Sequence, residues 1–308
     1  MAEALAAMGE SGVKTEAVTF PASDGRLLNG HLFLPAGSSA DGAVVAIGPA
    51  AAVPSRFYRH FAQGIAERGH PCLTFDVRDV GISRSGSVRG VATRMRDWAL
   101  SDVAGAITAM ETRFPGRPLH WVGHSMGGFA TGIAENGHRI ARQLCVATLN
   151  GYWGRMDGFE KWRVLAMMGV FAPVVLATRG HMPGALMGGE DMPAAAFEEW
   201  RRWCLDPDFL FGDDTLPERR NVARFTAPIR FLQFADDPWG TPASVGDMAQ
   251  RFHASRDRRV VAVDPREAGA QRIGHMGFFR AEFKETLWRP HLDWLLAPAD
   301  VPSVPASA

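Results

Sequence analysis

The stretch that decides the fold is Leu119-His120-Trp121-Val122-Gly123-His124-Ser125-Met126-Gly127-Gly128, followed by Phe129-Ala130-Thr131-Gly132-Ile133-Ala134. The first six residues predict a short buried strand, and the glycine-bracketed segment after them predicts a sharp turn into a helix. Gly123 and Gly127 stand two residues before and two after Ser125. Because a tight backbone turn leaves little room for side chains, glycine is favoured at both places. The pattern therefore predicts a strand, a turn that carries Ser125, and a helix.

Gly-x-Ser-x-Gly between a strand and a helix is the pattern of a nucleophile elbow, in which the serine hydroxyl projects above the sheet. The helix that follows points its N-terminus at the same spot, where unpaired N–H groups and the positive end of the helix dipole favour negative charge. Acyl transfer creates such charge on a carbonyl oxygen. Since the pentapeptide alone also occurs by chance, its structural context decides the interpretation.

Composition excludes several classes of protein. Lys plus Arg and Asp plus Glu both number 33 in 308 residues, so no long-range field favours nucleic acid or an anionic membrane. The three cysteines, Cys72, Cys145 and Cys204, lie far apart and predict neither disulfides nor a zinc site. No dinucleotide fingerprint, P-loop or metal-ligand cluster is found. We therefore expect no cofactor, no metal and no nucleic-acid partner.

Strands and helices alternate along most of the chain. Two strands joined by an Asp-Gly turn, Glu16 to Phe20 and Leu27 to Leu34, predict an antiparallel edge. The order strand, helix, strand then predicts a mostly parallel sheet of about eight strands with helices on both faces. Further strands and helices are predicted at 43–48, 57–68, 71–75, 95–114, 144–149, 229–234, 242–252, 259–263 and 279–296.

The alternation stops between residues 150 and 225. This segment is rich in tryptophan and holds six of the 13 methionines, and it predicts a helical cap that forms an apolar, adaptable pocket. Its most apolar part, residues 164–177, is shorter than the roughly 20 residues of a spanning helix and predicts a buried or pocket-lining element. We expect a core of residues 15–149 and 226–297, the cap insertion 150–225, and a disordered tail 298–308.

Gly123-His124-Ser125-Met126-Gly127-Gly128, with Asp237 and His275 downstream in that order, resembles the α/β-hydrolase superfamily of serine hydrolases. Within it the chain is similar to bacterial proteins described as predicted α/β hydrolases, near the serine aminopeptidase or monoacylglycerol lipase-like group. The resemblance covers about residues 15–297. It implies an α/β-hydrolase fold with a helical cap, and a triad of serine, aspartate and histidine.

A serine hydroxyl is a weak nucleophile until a base accepts its proton and a third group orients that base. His275 lies between the last predicted strand and the last helix, in the loop where this architecture brings a base to the elbow. The acid is expected after the strand 229–234, where Asp236 and Asp237 precede a proline. Superfamily members carry the acid at the second position, so we favour Asp237, with Asp236 capping a turn.

The oxyanion hole needs two backbone N–H groups, and Met126, directly after the nucleophile, supplies one. The second is expected from the loop after strand 43–48, which reads Pro49-Ala50-Ala51-Ala52-Val53 instead of the usual His-Gly. Since Pro49 has no N–H, Ala50 and Ala51 remain, and alignment on the following Arg56-Phe57-Tyr58-Arg59 favours Ala51. The segment Asp76-Val77-Arg78-Asp79 is interpreted as structural, an Asp–Arg pair that braces a loop near the site.

These residues predict a serine hydrolase without a cofactor that cleaves an ester, amide or thioester of a small hydrophobic acyl substrate through an acyl-enzyme on Ser125. An acyltransferase or a cofactor-free haloperoxidase-like activity uses the same triad, and a non-catalytic binding module of the same fold is the alternative outside catalysis. Residues 1–14 predict no signal peptide, so we expect a cytoplasmic protein without a membrane span. An apolar cap surface also leaves a homodimer open.

Overall fold

The computed structural model describes residues 12–37 and 42–298. In these residues ten strands follow in chain order: β1 (Lys14–Pro21), β2 (Leu27–Leu34), β3 (Val44–Gly48), β4 (Cys72–Phe75), β5 (Leu119–His124), β6 (Arg142–Val146), β7 (His181–Met182), β8 (Met192–Pro193), β9 (Ile229–Phe234) and β10 (Arg258–Val263). Eight of them form one sheet in the order β1-β2-β4-β3-β5-β6-β9-β10, and β7 pairs with β8 alone.

The sheet is antiparallel at one edge and parallel elsewhere. β1 pairs with β2 and β2 with β4 in antiparallel register, and every pair from β4 to β10 is parallel. The hairpin that joins β1 and β2 turns at Gly25, whose φ is +85°. The predicted mostly parallel sheet with an antiparallel edge is therefore confirmed.

Helices connect the strands and cover both faces. They are α1 (Arg59–Glu67), α2 (Ala104–Arg113), α3 (Met126–Ile133), α4 (Gly158–Arg179), α5 (Gly184–Met187), α6 (Ala194–Leu205), α7 (Pro242–Arg251) and α8 (Arg289–Leu296). Single helical turns precede α1 at Ser55–Tyr58, follow the base-carrying loop at Gly277–Phe279 and lead through Lys284–Trp288 into α8. The turns Met95–Asp97 and Trp98–Val103 lead into α2.

Two apolar cores lie on opposite sides of the sheet. In β3, Val44 and Ala46 belong to one core and Val45 and Ile47 to the other. This alternation follows from the two-residue period of a strand, and burial on both faces explains why β3 is apolar throughout. The central strands thereby form a rigid platform whose carboxyl ends carry the loops described below.

The segment between β6 and β9 holds α4, α5, α6 and the small β7–β8 pair. It is tied to the core by buried charges: the Arg96 guanidinium lies 2.6 Å from Glu199 and 3.0 Å from Asp213. A buried pair of this kind is costly to break, because removal of one partner leaves an uncompensated charge. The predicted limits of the cap insertion stay a prediction.

Several predicted boundaries were wrong. β6 ends at Val146 and not at residue 149, because Ala147 has φ +51° and leaves the strand. The apolar stretch 164–177 belongs to the 22-residue helix α4, which is long and apolar enough to cross a membrane by length and composition alone. Only 17% of its most apolar window is buried, so the stretch is not a buried element throughout. Val164, Met167 and Met168 line the cavity described below, as expected for a pocket-lining element. Of the predicted tail, only Pro298 lies within the described residues.

Glycine is required where the elbow contacts the neighbouring strand. A Cβ added to Gly127 would lie 2.1 Å from the carbonyl oxygen of Gly48 on β3, and one on Gly123 would lie 2.3 Å from the Cα of Gly128. These contacts are with backbone, which cannot rotate away. The close approach therefore depends on the absence of side chains.

We predict that Gly127→Ala lowers the free energy of unfolding by about 1–3 kcal/mol or more, since overpacking against a rigid backbone costs this much. Gly246→Ala is the control, because Gly246 lies inside α7 with open space around its Cβ position. There alanine is expected to stabilise the helix by about 0.5–1 kcal/mol. Urea denaturation of both variants measures the difference, and equal effects of the same sign would contradict the steric explanation.

Candidate active site

Ser125 lies at the turn between β5 and α3 with φ +49° and ψ −112°. This conformation is rare for a residue with a side chain and costs of order 1–3 kcal/mol, so surrounding contacts must hold it. The Ser125 N–H donates to the Val146 carbonyl at 2.9 Å, and the Thr148 hydroxyl donates to the Ser125 carbonyl at 3.1 Å. The Trp121 indole N–H fixes the next turn through the Gly127 carbonyl at 2.9 Å. The strand end and the turn together present Ser125 to the cavity above.

His275 and Asp237 lie in direct contact. His275 Nδ1 is 2.7 Å from Asp237 Oδ2, and the backbone N–H of Trp239 donates to Asp237 Oδ1 at 3.0 Å. Burial alone would raise the pKa of Asp237, but the charge and hydrogen bond of His275 and the N–H groups of Trp239 and Gly240 lower it below its ordinary value. The carboxylate is thus held ionised beside the Nδ1 proton, as a group that orients an imidazole must be.

The two neighbouring aspartates have different partners. Asp236, which we expected to cap a turn, accepts the backbone N–H groups of Ile273 at 2.8 Å and Gly274 at 3.0 Å. It therefore anchors the loop that carries His275, while Asp237 contacts the imidazole itself. Gly274 has φ +58°, which explains the glycine just before the histidine. The geometry favours Asp237 over Asp236 as the acid.

Two backbone N–H groups were candidates for one side of the oxyanion hole. The Ala50 N–H donates to the Tyr58 hydroxyl at 2.9 Å, so it is already used in the loop. Ala51 is the next residue, and both alanines line the same cavity as Ser125. On the other side, Met126 begins α3, where the first N–H groups lack partners within the helix. The geometry favours Ala51 and Met126 as the two donors.

His124 is fully buried beneath this site. Its Nδ1 lies 2.9 Å from the Tyr58 hydroxyl, and its Nε2 lies 2.9 Å from the carbonyl oxygen of His275. Burial first, and the nearby His275 charge second, lower the pKa of His124 to about 3. The ring is therefore neutral at neutral pH, and the sequence did not identify Tyr58 as its partner.

The segment after β4 is structural, but its pairing differs from the expected Asp–Arg pair. Arg78 binds Asp24 and Asp102, with its guanidinium 2.6–2.7 Å from the nearest oxygens. Asp76 instead accepts the backbone N–H groups of Ser55 and Ile82. Asp79 binds the Arg26 guanidinium and accepts the Thr93 hydroxyl. Neither aspartate of the segment therefore pairs with Arg78.

A cavity of about 270 Å³ opens above Ser125 and His275. Apolar side chains from the core, the cap and the base loop make up most of its wall: Val53, Phe129, Leu149, Val164, Met167, Met168, Leu186, Met187, Met192, Trp200, Phe209, Trp239 and Met276. Among the described residues that form this wall, Arg163 is the one Lys or Arg. Its guanidinium lies 2.5–2.7 Å from the Glu160 carboxylate. The cavity wall is therefore mostly apolar, and its one cationic side chain is paired.

The cap contacts the acid loop directly. The Trp239 indole N–H donates to Glu160 at the start of α4, while the Trp239 backbone N–H binds Asp237. The Thr241 hydroxyl donates to the Arg155 carbonyl at 2.6 Å. One loop therefore holds both the carboxylate that faces His275 and the first turn of the cap helix, a connection that the sequence did not reveal.

Comparison with solved structures identifies the fold. The solved structures that the chain matches include the Pyrococcus furiosus esterase Pf2001 (TM-score 0.56, 14% identity, 94% of this chain and 93% of that one). Others are DcsB in complex with its substrate analogue (TM-score 0.61, 12% identity, 92% and 98%) and a cold-adapted esterase from an Arctic intertidal metagenomic library (TM-score 0.54, 16% identity, 94% and 97%). The chain thus has the α/β-hydrolase fold.

A family model described as serine aminopeptidase S33 matches residues 40–188, which include β3 and the elbow. No curated protein matches the chain in sequence. The chain is thus similar to the serine aminopeptidase group over residues 40–188, and the structural matches show the α/β-hydrolase fold. The predicted resemblance and the predicted fold are confirmed, whereas the assignment of the individual site residues stays a prediction.

We predict that Asp237→Asn lowers kcat by roughly 1,000- to 10,000-fold, because an amide in this place favours the wrong imidazole tautomer. Asp236→Asn is the matched control. This change weakens the hydrogen bonds that anchor the base loop. If transition-state stabilisation falls by about 1–1.5 kcal/mol as a result, kcat falls about tenfold. Ester turnover per titrated active site measures both variants, and a larger loss in Asp236→Asn would reverse the assignment of the two carboxylates.

A second prediction concerns pH and the His124 ring. Between the ordinary histidine pKa of 6.5 and about 3, the unfolded chain binds a proton that the folded chain excludes, so stability falls as the pH falls. The expected slope for this residue is about 1.4 kcal/mol per pH unit. His124→Gln removes that contribution, whereas buried His120 and His291 remain in both proteins. Urea unfolding from pH 7 to pH 4 should give a shallower slope for the variant; identical slopes would contradict a neutral buried ring.

Proposed function

We propose that this protein is a serine esterase that cleaves neutral esters of short or medium apolar acyl groups through an acyl-enzyme on Ser125. The observation that carries the proposal is the His275–Asp237 pair at the same apolar cavity as Ser125. Acyl transfer needs a nucleophile, a base and an acid that orients the base. Here the three candidates lie on three loops that follow different strands of one sheet.

The proposed reaction uses only groups of this chain. Ser125 Oγ attacks the carbonyl carbon while His275 Nε2 takes the hydroxyl proton, and Asp237 stabilises the imidazolium that forms. The N–H groups of Ala51 and Met126 bind the oxyanion. His275 then gives the proton to the departing alcohol, and water, activated by the same histidine, releases the acid and regenerates Ser125.

The cavity wall supports an ester of an uncharged acyl group over a peptide. An aminopeptidase must hold the ammonium group of its substrate, and a buried ammonium needs a carboxylate partner. The cavity wall, which the described residues form, contributes no Asp or Glu side chain, and Glu160 nearby is already paired with Arg163. The similarity to serine aminopeptidases therefore supports the catalytic parts and not their substrate.

The size of the cavity supports a limit on acyl length. About 270 Å³ is just below the roughly 300–1,000 Å³ of pockets that hold drug-sized ligands. Four methionines of the cap and its margins line it, Met167, Met168, Met187 and Met192, and such side chains adapt to apolar chains of different shape. We infer a preference for butyrate to octanoate esters over palmitate.

We predict that a fluorophosphonate probe labels the wild-type protein and not Ser125→Ala, and that p-nitrophenyl ester turnover peaks at butyrate to octanoate. Met168→Ala should move the peak to longer chains, since Met168 is buried in the cavity wall. Met248→Ala is the control, because Met248 is equally buried in α7 away from the cavity. It should lose stability and keep the same preferred length.

The other outcomes identify the alternatives. Labelling with transfer of the acyl group to an added alcohol, in preference to water, would indicate an acyltransferase with the same triad. Absence of both labelling and turnover in a folded wild-type protein would favour the non-catalytic binding module.

A further inference from the structure

We propose that Tyr58 and His124 are positioning residues that hold two catalytic loops at a fixed distance from each other. The oxyanion loop is residues 49–53, and the base loop is residues 272–277. One chain of hydrogen bonds through Tyr58 and His124 joins them under the nucleophile. The inference rests on the proposed function, because it assigns the two loops their roles in acyl transfer.

The direction of every bond in this chain is fixed by its two ends. The Ala50 N–H can only donate, so the Tyr58 oxygen accepts it at 2.9 Å. The His275 carbonyl can only accept, so His124 Nε2 carries a proton and donates at 2.9 Å. His124 Nδ1 is then bare in the neutral ring and accepts the single Tyr58 hydroxyl proton at 2.9 Å. One tautomer satisfies all four groups.

The chain lies in a dry, aromatic part of the core. Tyr58 is 1% exposed and His124 is fully buried. The His124 ring packs at 4.9 Å centroid distance from Phe279 and stacks on Phe57 at 6.3 Å and 17°. Because no solvent replaces a lost partner in such a place, removal of one group leaves its neighbours unpaired at a cost of about 1–3 kcal/mol. The bonds therefore constrain the loops and do more than fill space.

The consequence for the oxyanion loop is a defined orientation of one peptide. Since Tyr58 holds the Ala50 N–H, the following N–H, that of Ala51, is left for the cavity. Ala52 continues with φ +56°, so the turn has little freedom to adjust. A loop without a His-Gly motif thus obtains an oriented donor from a tyrosine eight residues later.

The consequence for the base loop is a third anchor. Asp237 holds the imidazole of His275, and Asp236 holds the N–H groups of Ile273 and Gly274. His124 adds the carbonyl oxygen of His275 itself. Three groups therefore hold the backbone and the side chain of His275. Of these three, His124 is the one that also connects His275 to the oxyanion loop, through Tyr58.

Variants that remove single bonds test the proposal. Tyr58→Phe keeps the ring and removes the hydroxyl, and we expect kcat to fall by about 10- to 100-fold, less than the roughly 100- to 1,000-fold for loss of a whole oxyanion donor. KM should change by less than about threefold, because the cavity wall is untouched. Tyr152→Phe, the same change at the other tyrosine of the chain, is the matched control and should leave kcat unchanged.

Variants of His124 separate its two hydrogen bonds, the one to Tyr58 and the one to the His275 carbonyl. His124→Phe keeps a ring and loses both bonds, His124→Asn offers an acceptor near the place of Nδ1, and His124→Gln offers a donor near the place of Nε2. We expect His124→Asn and His124→Gln each to recover part of the activity that His124→Phe loses. Tyr58→Phe combined with His124→Phe should be no worse than the more damaging single change, because both interrupt one chain.

The readouts separate positioning from a loss of folding. Rates are expressed per active site titrated with the fluorophosphonate, and the affinity of a boronic acid transition-state analogue is measured beside them. A positioning role lowers this affinity in proportion to kcat/KM. Full kcat per titrated site in Tyr58→Phe and His124→Phe, with only a lower melting temperature, would overturn the proposal.

The nitrogen chemical shifts of the histidine rings give a test that needs no activity. With the His124 signals assigned by comparison with His124→Gln, we expect a protonated Nε2 and a bare Nδ1. The opposite tautomer would overturn the hydrogen-bond chain even in an active enzyme. A wild-type protein that neither labels nor turns over esters would overturn the proposed function instead, so the two failures are distinct.

Discussion

The structure depends on the close approach of the elbow to strand β3. Ser125 takes its strained backbone conformation because Gly127 lies against the carbonyl of Gly48, and because Gly128 lies beside Thr148 without a Cβ between them. The same contact sets the start of α3 next to the end of β3. Backbone packing therefore brings the N-terminus of α3 next to the start of the loop that follows Gly48. The side chain of Tyr58 then holds that loop through the Ala50 N–H.

Electrostatics then divides the work between two adjacent carboxylates. Asp236 accepts hydrogen bonds from backbone N–H groups of the base loop. Asp237 faces the imidazole, and the N–H groups of Trp239 and Gly240 stabilise the negative charge of Asp237. A Cβ at Gly240 would lie 2.6 Å from Asp237 Oδ2, so the glycine admits the carboxylate. The two adjacent carboxylates thus have separate partners, and the buried one, Asp237, has its pKa lowered by the charge and hydrogen bond of His275 and by backbone N–H groups.

The elbow, the antiparallel edge and the place of the base loop follow from sequence because each depends on local signals. Gly123 and Gly127 mark a turn, and alternating apolar runs mark the strands. The partner of His124 could not be predicted this way, since Tyr58 lies 66 residues earlier and its role depends on where Ala50 points. Asp236 and Asp237 differ only in direction, which no spacing encodes. The end of β6 was predicted wrongly because Ala147 has φ +51°. Alanine rarely adopts a positive φ, so the sequence gives no sign of it.

The burial of the cap helix α4 could not be predicted from its pattern of apolar residues either. In α4, Val164 and Met168 are buried toward the cavity while Phe159, Trp162, Phe171 and Val174 are exposed. Apolar residues thus occupy both faces, and a pattern of this kind is typical of a fully buried helix. The inner face is explained by the cavity. The outer face has no such explanation in the fold, and the bond between Glu160 and Trp239 places the start of this helix on the loop of Asp237. The start of α4 is therefore tied to the loop of Asp237, whose carboxylate contacts His275, while the elbow of Ser125 lies against β3.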